Sequence, residues 1–167
     1  MSKPTVYVDT NIISMLYYRG GNPRALKEKL TTLEWWESER PFFRLLAAQA
    51  VEDELAAGDY PGKEHALAEV RRLPYLPYRH SVLDVQAKLL ATQVVPAAVP
   101  DDAFHLAIAT VHRVDYLLSW NRAHLVSEEA QAKLARFRAA FGLRTPLVVS
   151  PDSIPRASLG EHIRRRD

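Results

Sequence analysis

The amino-acid sequence predicts an α/β fold in which helices cover both faces of a mostly parallel sheet. Short apolar segments of strand length alternate with longer segments of helical periodicity along the 167 residues, and such alternation is typical of parallel sheets. Two of the strand-like segments end on polar residues, at the edge where open α/β sheets bind ligands. A chain of this length fits one domain. We assign residues 1–154 to that domain and residues 155–167 to a polar, basic C-terminal tail.

The composition narrows the classes of function. A hydrophobic content of 47% and a charged content of 25% are typical of globular proteins. No apolar run approaches the roughly 18 residues of a membrane span, and the N-terminus lacks the apolar segment of a signal peptide, so we expect a cytoplasmic protein without a membrane partner. The sequence contains no cysteine, which excludes disulfides and zinc–cysteine sites and leaves oxygen or histidine ligands for any metal.

Charge and motifs exclude further classes. The net charge of +2 is too small to indicate nucleic-acid binding by bulk attraction, so such a partner requires a local argument. The sequence contains neither a G-x-G-x-x-G nor a G-x-x-x-x-G-K motif, which excludes the usual dinucleotide and nucleoside-triphosphate sites. It also lacks the G-x-S-x-G turn of many acyl-transfer enzymes, which disfavours that chemistry.

The first strand prediction covers residues 6–8, whose β-branched and aromatic side chains are typical of a buried strand. The strand leads directly into Asp9, Thr10 and Asn11, so it delivers a carboxylate to its carboxyl end. An aspartate in this place also serves as the N-cap of a following helix. This segment alone does not separate the two interpretations, and Asp9 becomes a site candidate only if other acids converge on it.

Two helices are predicted next. The first covers residues 12–18 and ends before Gly20 and Gly21, because a glycine readily adopts the positive φ of a helix stop. The second opens at Asn22 and Pro23, a favourable N-cap and first helical position. Its apolar residues Leu26, Leu30 and Leu33 recur at helical spacing and predict its apolar face.

The second strand prediction covers residues 41–47 and is followed by a helix over residues 50–57. Three acids fall in the early turns of this helix, where the helix dipole stabilises them, so their presence alone indicates little. Val51, Glu54 and Leu55 share one helical face, which turns Glu54 toward the core side. An acid on an apolar face is usually paired or bound to a metal.

The middle of the chain carries two further predicted helices, over residues 62–72 and 82–93. Residues 75–78 between them contain two prolines, so they form a short edge strand at most. This region indicates no chemistry of its own.

A helix beginning at Asp101 has two acids in its first turn, although one is enough for capping. His105, Leu106 and Ala109 share the face of Asp102, and this stripe is typical of packing against a sheet. We interpret His105 as a buried core histidine rather than a metal ligand, because no second histidine lies four residues further on.

The third predicted strand covers residues 114–120, and Ser119 and Asn121 alternate onto one side of it. Two small polar residues at the end of a central strand are unusual in a core and indicate a site. A helix over residues 127–141 and a short strand over residues 147–149 complete the domain.

These polar residues converge in the predicted topology. Asp9 follows one strand, and Ser119 and Asn121 follow another. Glu54 and Asp102 lie in early turns of helices that begin near the same edge. Three carboxylates gathered in one cleft repel one another and require a cation. Without cysteine or a histidine pair, the matching ions are Mg²⁺ and Mn²⁺, which neutralise a phosphodiester and lower the pKa of a bound water.

Four segments in this order resemble the PIN-domain proteins, particularly the VapC-like toxins. They read VYVDTNI from residue 6, VEDEL from residue 51 with GD after it, DAFHLA from residue 102, and YLLSWN from residue 116 with HL at 124–125. The resemblance extends from about Thr5 to Ile154. It implies a PIN-like three-layer α/β/α sandwich and a metal-dependent endoribonuclease that hydrolyses RNA.

The same resemblance implies roles for individual residues. They are Asp9, Glu54 and Asp102 as ligands of Mg²⁺ or Mn²⁺, Ser119 and Asn121 as further catalytic residues, and Thr10 and Asn11 as polar residues beside the first acid. Asn121 departs from the family pattern, since many members carry Asp there. An amide oxygen can still ligate Mg²⁺ or orient a water, but it lacks a full charge, so we expect a second metal to bind weakly or only with substrate. The family also implies a homodimer and, for toxins, a small antitoxin that occludes the site.

Two groups of basic residues each have two interpretations. Those between Arg19 and Lys29 either form a solvated helix surface or guide RNA to the site. Arg164, Arg165 and Arg166 either belong to a disordered end or form an arm that contacts phosphate.

Two alternatives to a nuclease stay open at the level of sequence. The first is the same fold with a disabled site, which acts through RNA or protein binding, and Asn121 is its only support. The second is a metal-dependent phosphatase with Asp9 as nucleophile. That chemistry calls for a second acid two residues further on, where Asn11 stands.

Overall fold

Four parallel strands form the centre of the computed structural model, which describes residues 2–161. The strands are β1 (Thr5–Val8), β2 (Arg44–Leu46), β3 (Tyr116–Leu118) and β4 (Leu147–Val149). Their order across the sheet is β2-β1-β3-β4, and every neighbouring pair is parallel. The predicted parallel sheet is therefore confirmed.

Seven α-helices surround this sheet within residues 2–161. They are α1 (Thr10–Leu16), α2 (Pro23–Ser38), α3 (Gln49–Ala57), α4 (Lys63–Val70), α5 (Ser81–Ala91), α6 (Pro100–Val111) and α7 (Glu128–Phe141). Helix and sheet layers bury one another's apolar faces, and the predicted three-layer α/β/α sandwich is confirmed. None of these helices is long and apolar enough to span a membrane.

The strand order determines where a ligand can bind. From β1 the chain crosses to β2 on one side, and it returns to β3 on the other side of β1. Such a reversal opens a crevice at the carboxyl ends of the two strands that flank it. The register pairs Val8 with Leu118, so Asp9 and Ser119 follow directly at that crevice.

The two central strands are buried because both of their faces are covered. Val6, Tyr7 and Val8 have no exposed surface, and neither do Leu117 and Leu118. Continuous apolar runs of this kind are typical of parallel strands between helical layers. The rigid centre of the sheet therefore holds the residues that follow β1 and β3.

The apolar face predicted for α2 is wrong. Leu26 is 39% exposed and Leu30 is 68% exposed, whereas Thr32 and Trp35 are fully buried. The Trp120 indole donates a hydrogen bond to the Thr32 hydroxyl at 2.8 Å, and the large Trp35 side chain removes more apolar surface from water than a leucine would. Together these contacts turn the helix away from its leucine stripe.

Several boundaries differ from the prediction. Residues 40–42 form a 3-10 turn that contains Pro41, so β2 begins only at Arg44. Helix α1 begins at Thr10 because the Asp9 side chain caps it. The expected positive φ at Gly20 and Gly21 does not occur. Among the described glycines, positive φ values are found at Gly62, Gly142 and Gly160.

The first residues of the C-terminal tail lie against α2. Arg156 donates to Glu34 at 2.8 Å, and the Ser158 hydroxyl donates to Glu39, a carboxylate with no exposed surface. The arginines at 164–166, for which a phosphate-contacting arm is one interpretation, lie outside the described residues.

Candidate metal centre

Asp9 lies at the carboxyl end of β1 and is 5% exposed. Its Oδ1 accepts the backbone N–H of Thr10 at 2.7 Å. Its Oδ2 accepts the Ser119 hydroxyl at 2.6 Å and the Asn11 amide at 3.1 Å. The carboxylate caps α1, as one interpretation of the sequence expects. It is also held by neutral donors from across the crevice, so capping does not account for all of its contacts.

Ser119 and Asn11 form a hydrogen-bond network that supports the Asp9 carboxylate. The Ser119 hydroxyl accepts the Asn11 amide and the Asn121 backbone N–H, each at 3.0 Å. The side-chain oxygen Oδ1 of Asn11 accepts the backbone N–H of Trp120 at 2.9 Å. Side-chain hydrogen bonds thus join the residues that follow β1 and β3, where the backbone pairing of the two strands ends. This network fixes the position of the Asp9 carboxylate.

Glu54 reaches the same crevice from α3. Its Oε2 accepts the Thr10 hydroxyl at 2.6 Å, and its Oε1 lies 2.6 Å from Nε2 of His105. Val51 and Leu55 on its helical face are buried, but 37% of the Glu54 side-chain surface is exposed. The acid therefore faces the crevice rather than the core.

His105 connects Glu54 to the core. The ring is 3% exposed, and its Nδ1 lies 2.7 Å from the Tyr7 hydroxyl. An ionised Glu54 only accepts hydrogen bonds, so Nε2 carries the proton, and a neutral ring then accepts at Nδ1 from Tyr7. The ring holds the Glu54 carboxylate toward Asp9. It could ligate a metal through Nε2 only by giving up this hydrogen bond.

The shifted pKa values reflect crowded carboxylates. Burial alone would lower the pKa of His105, but the hydrogen bond to Glu54 and the charges of Asp9, Glu54 and Asp102 outweigh it and raise that pKa. Burial also opposes ionisation of Glu54, whose pKa is nevertheless lowered by His105 and Thr10. Burial of Tyr7, with the charges of Asp9 and Glu54, raises its pKa well above the ordinary value. Negative charge thus accumulates on one side of the crevice.

Asp102, in the first turn of α6, is linked to this centre through Asn121. The Asn121 amide donates to Asp102 at 2.9 Å, and its side-chain oxygen accepts the backbone N–H of His124 at 3.0 Å. Partial burial and the charge of Asp9 raise the pKa of Asp102 in spite of the Asn121 hydrogen bond. The charge on Asp102 is thus unfavourable in the metal-free protein.

The residues fit a divalent metal ion. Asp9, Glu54 and His105 each offer one ligand atom, and these atoms lie within 4.8 Å of one another. Within residues 2–161 we find no ion pair between a lysine or arginine and Asp9, Glu54 or Asp102. Carboxylate oxygens with no cation beside them are the donors that Mg²⁺ and Mn²⁺ prefer.

The structure brings the predicted site residues to one edge of the sheet. Asp9, Thr10, Asn11, Glu54 and Ser119 are connected by direct hydrogen bonds. Asp102 joins them through Asn121, which bonds to Ser119 by its backbone N–H. The three-residue group with metal-binding geometry contains His105 where Asp102 was expected.

Sequence reasoning did not include His105 and Tyr7 among the site residues. His105 is a core histidine, as expected, and at the same time it contacts Glu54. Its position on the same helical face as Asp102 was the available signal for a site residue. The absence of a second histidine four residues further on argued against a metal ligand and outweighed that signal. Tyr7 gave no signal, because an aromatic residue inside a strand is ordinarily a packing residue.

Comparison with known proteins supports the fold. No protein-family model matches the sequence, and no curated protein sequence matches it. A chain of a toxin–antitoxin complex from Klebsiella pneumoniae is similar in structure, with a TM-score of 0.53 and 17% identity over 87% of this chain and 97% of that chain. FitAcB from Neisseria gonorrhoeae has a TM-score of 0.55 and 16% identity, with the same coverage. At these identities the likeness concerns the fold.

Proposed function

We propose that this protein is a Mg²⁺- or Mn²⁺-dependent endoribonuclease that hydrolyses RNA phosphodiester bonds. The observation that carries the proposal is the cluster of Asp9, Glu54 and His105 at the crevice, whose ligand atoms lie within 4.8 Å of one another. Asp102 adds a further negative charge, which raises the pKa of His105 together with the charges of Asp9 and Glu54. A cluster of this kind at the crevice between β1 and β3 is suited to a metal ion and an anionic substrate.

The chain's own residues orient the acids. Asn11 and Ser119 hold Oδ2 of Asp9, while Thr10 and His105 hold Glu54. Such contacts matter because loss of an outer partner commonly costs roughly 10–100-fold in metal affinity or activity. When bound, the metal supplies charge neutralisation of the phosphodiester and a water of lowered pKa. Thr10 and Asn11 thus act by positioning the acids.

Basic residues around Trp120 support an RNA substrate. Arg24 and Lys27 of α2 line a cavity of about 190 Å³ together with Trp120 and Arg122. Trp120 directly follows Ser119 in the chain, and its backbone N–H donates to the side chain of Asn11 at 2.9 Å. Arg24 and Arg122 also pair with Glu28 and Asp152, which limits the positive charge available for phosphate contacts. We assign this surface, with Arg19, to guiding the RNA backbone.

We further propose that the protein is the toxin of a type II toxin–antitoxin pair and forms a homodimer. The support is the likeness to a chain from a toxin–antitoxin complex, together with the resemblance of the four sequence segments. We expect a gene for a small DNA-binding protein to lie directly upstream of the gene for this chain. We also expect that small protein to form a complex with this chain and to block cleavage. An upstream protein that neither binds this chain nor reduces cleavage would contradict the toxin assignment.

The nuclease proposal is tested with purified protein and two RNA substrates, one unstructured and one structured. We expect cleavage in Mn²⁺ or Mg²⁺, no cleavage in EDTA, and recovery when the metal is restored. Full cleavage in EDTA, or the absence of cleavage of either RNA under any metal condition, would contradict the proposal. The Asp9→Asn variant, expressed and purified in the same way, controls for contaminating ribonuclease.

One observation favours a second candidate, a catalytically impaired PIN-like module that binds RNA or protein. Both polar atoms of the Asn121 side chain are used in hydrogen bonds, to Asp102 and to the His124 backbone. In this arrangement the uncharged amide group of Asn121 faces Asp102, and the Asn121 oxygen already accepts one hydrogen bond. Calorimetric titration with Mn²⁺ separates the candidates, because a nuclease binds the ion and cleaves, whereas an impaired module binds RNA without metal-dependent cleavage.

A further inference from the structure

A cavity of about 440 Å³ opens beside the candidate metal centre, and it shares Thr10 and Glu54 with that centre. Its volume falls in the range of about 300–1,000 Å³ that is usual for small-ligand sites. Its remaining walls come from α1, α3 and two loops. They are Ser14, Met15, Tyr18, Arg19, Gly20, Leu55, Tyr60 and Pro61. Most of the wall is apolar, and the Thr10–Glu54 side is polar.

Two tyrosines of this cavity lie directly over glycines. A β-carbon on Gly20 would lie 2.1 Å from the Tyr18 hydroxyl, and one on Gly58 would lie 2.9 Å from ring carbons of Tyr60. These distances are far below van der Waals contact, so a side chain at either position would displace the ring. The close approach explains Gly20, which does not adopt the positive φ that its place after α1 predicts.

Both rings are also held by their hydroxyl groups. The Tyr60 hydroxyl donates to the carbonyl oxygen of Leu55 at 3.1 Å, and the Tyr18 hydroxyl accepts the backbone N–H of Asn22 at 3.3 Å. The rings are only partly buried. Two restrained aromatic rings that are only partly buried therefore line the cavity, and Tyr60 also packs against the hydrophobic core.

Arg19 provides the positive charge of the cavity. Its side chain is exposed, and no described residue forms an ion pair with it. A guanidinium group of this kind is a suitable bidentate partner for a phosphate. The cavity thus combines aromatic surface, a free cation and a shared wall with the metal centre.

We propose that this cavity binds one unpaired base of the RNA substrate next to the cleaved phosphodiester, with Tyr18 and Tyr60 as stacking surfaces and Arg19 as the phosphate contact. The inference rests on the proposed nuclease function and specifies where one base of its RNA substrate binds. Aromatic side chains stack on unpaired bases, and a phosphodiester at Glu54 carries a base within reach of the adjoining cavity. An apolar peptide side chain would leave Arg19 without a role.

The proposal is tested by binding and by cleavage. In EDTA, we expect the four nucleoside monophosphates to bind the wild-type protein in NMR titrations. Tyr18→Ala and Tyr60→Ala should weaken this binding roughly tenfold each, the usual effect of losing one stacking ring. The same variants should lower kcat/KM on single-stranded RNA by a similar factor. Tyr18→Phe and Tyr60→Phe keep the rings and should retain most of the binding.

One further variant serves as a control, and a second tests the positive charge of the cavity. Tyr78 is 59% exposed and lies outside the cavity, so Tyr78→Ala should change neither measurement. Arg19→Gln is an exposed substitution that leaves the fold intact even if an alanine variant does not fold. We expect it to weaken binding of the monophosphates several-fold and to leave binding of the uncharged nucleosides unchanged.

The outcomes separate this inference from the nuclease proposal. Metal-dependent cleavage together with unchanged binding and cleavage in Tyr18→Ala and Tyr60→Ala would overturn the base site and leave the nuclease standing. Mononucleotide binding that depends on the two rings, without any cleavage of RNA, would support the base site and overturn the nuclease. A loss in Tyr78→Ala equal to that in the cavity variants would also overturn the base site.

Discussion

Asp9 and Asp115 lie at opposite edges of the same pair of central strands, and their surroundings differ in one respect. Asp115 precedes β3 and accepts the backbone N–H and the hydroxyl of Thr5 at 2.8 and 2.9 Å. It also pairs with Arg144 at 2.7 Å. Asp9 follows β1 and has a comparable number of neutral donors, but no described lysine or arginine pairs with it.

This difference distinguishes an acid whose charge the fold balances from an acid whose charge the fold leaves unbalanced. At Asp115 the charge is balanced by the fold itself, since a guanidinium group and two donors satisfy the carboxylate. At Asp9 the donors fix the geometry while the charge stays unbalanced, and Glu54 and Asp102 add to it. Leaving such charges together is unfavourable for folding, and an added cation removes the cost. The same substitution, aspartate to asparagine, is therefore expected to act differently at the two positions. It should weaken metal binding at Asp9 and destabilise the fold at Asp115.

The largest expected effect is the loss of metal binding in Asp9→Asn. Removing one charge from the cluster weakens the attraction for Mn²⁺, and we expect a drop in affinity of at least roughly a hundredfold, above the usual effect of an outer-partner loss. Isothermal titration calorimetry measures it directly. Asp115→Asn is the matched control and should bind Mn²⁺ as the wild type does, so equal losses in both variants would contradict the division between the two acids.

The second effect is a loss of stability in Asp115→Asn. Arg144 and Asp115 have side-chain exposures of only 24% and 12%, so the substitution leaves a half-buried guanidinium without a negatively charged partner. We expect the free energy of unfolding to fall by about 2 kcal/mol, as measured by urea denaturation in EDTA.

An exposed ion pair provides the comparison for that measurement. Glu129 pairs with Lys133 one turn further along α7, and such pairs contribute roughly 0.3–0.5 kcal/mol. Glu129→Gln should therefore change the free energy of unfolding far less than Asp115→Asn. Equal changes in the two variants would show that the Asp115–Arg144 pair has no special role.

The smallest effect concerns Asp102 in metal-free protein. Burial and the charge of Asp9 raise its pKa, so the folded state binds a proton more tightly than the unfolded state, and stability falls as the pH rises through the unfolded value of about 4. Asp102→Asn removes this loss. At pH 7 in EDTA, the variant should be more stable than the wild type by less than about 1 kcal/mol.

Two conditions sharpen the Asp102 measurement. The difference between the variant and the wild type should vanish well below pH 4, where the carboxyl group of the wild type is protonated. Asp101→Asn, an exposed change in the same helical turn, should not stabilise the protein. A variant of Asp102 that is less stable than the wild type at pH 7 would mean that its ionised carboxylate is favourable without metal.

The sequence was informative where a local pattern and a packing requirement agree. Residues 6–8 of β1 carry β-branched and aromatic side chains and are fully buried, so the strand and the acid at its end could be predicted. Helix α2 is the opposite case. Its leucine stripe predicted one buried face, but Thr32 and Trp35 are buried instead because Trp120 and the neighbouring layer decide which side packs.

The candidate site divides in the same way. The acidic residues and Ser119 could be selected because polar side chains at strand ends, in first helical turns and on apolar helical faces are visible in a sequence. The roles of His105, Tyr7 and Thr10 could not, since each depends on a partner at least 44 residues away. Spacing along the chain carries no information on such contacts.

The sequence by itself determined the parallel α/β architecture and the edge at which the acids gather, because hydrophobic periodicity and strand-end residues follow from local chemistry. Only the tertiary structure decided which acid is balanced by an arginine and which is not, how His105 holds Glu54, and that Gly20 and Gly58 make room for two tyrosine rings. Those features depend on distances between segments far apart in the chain, which only the packed layers set.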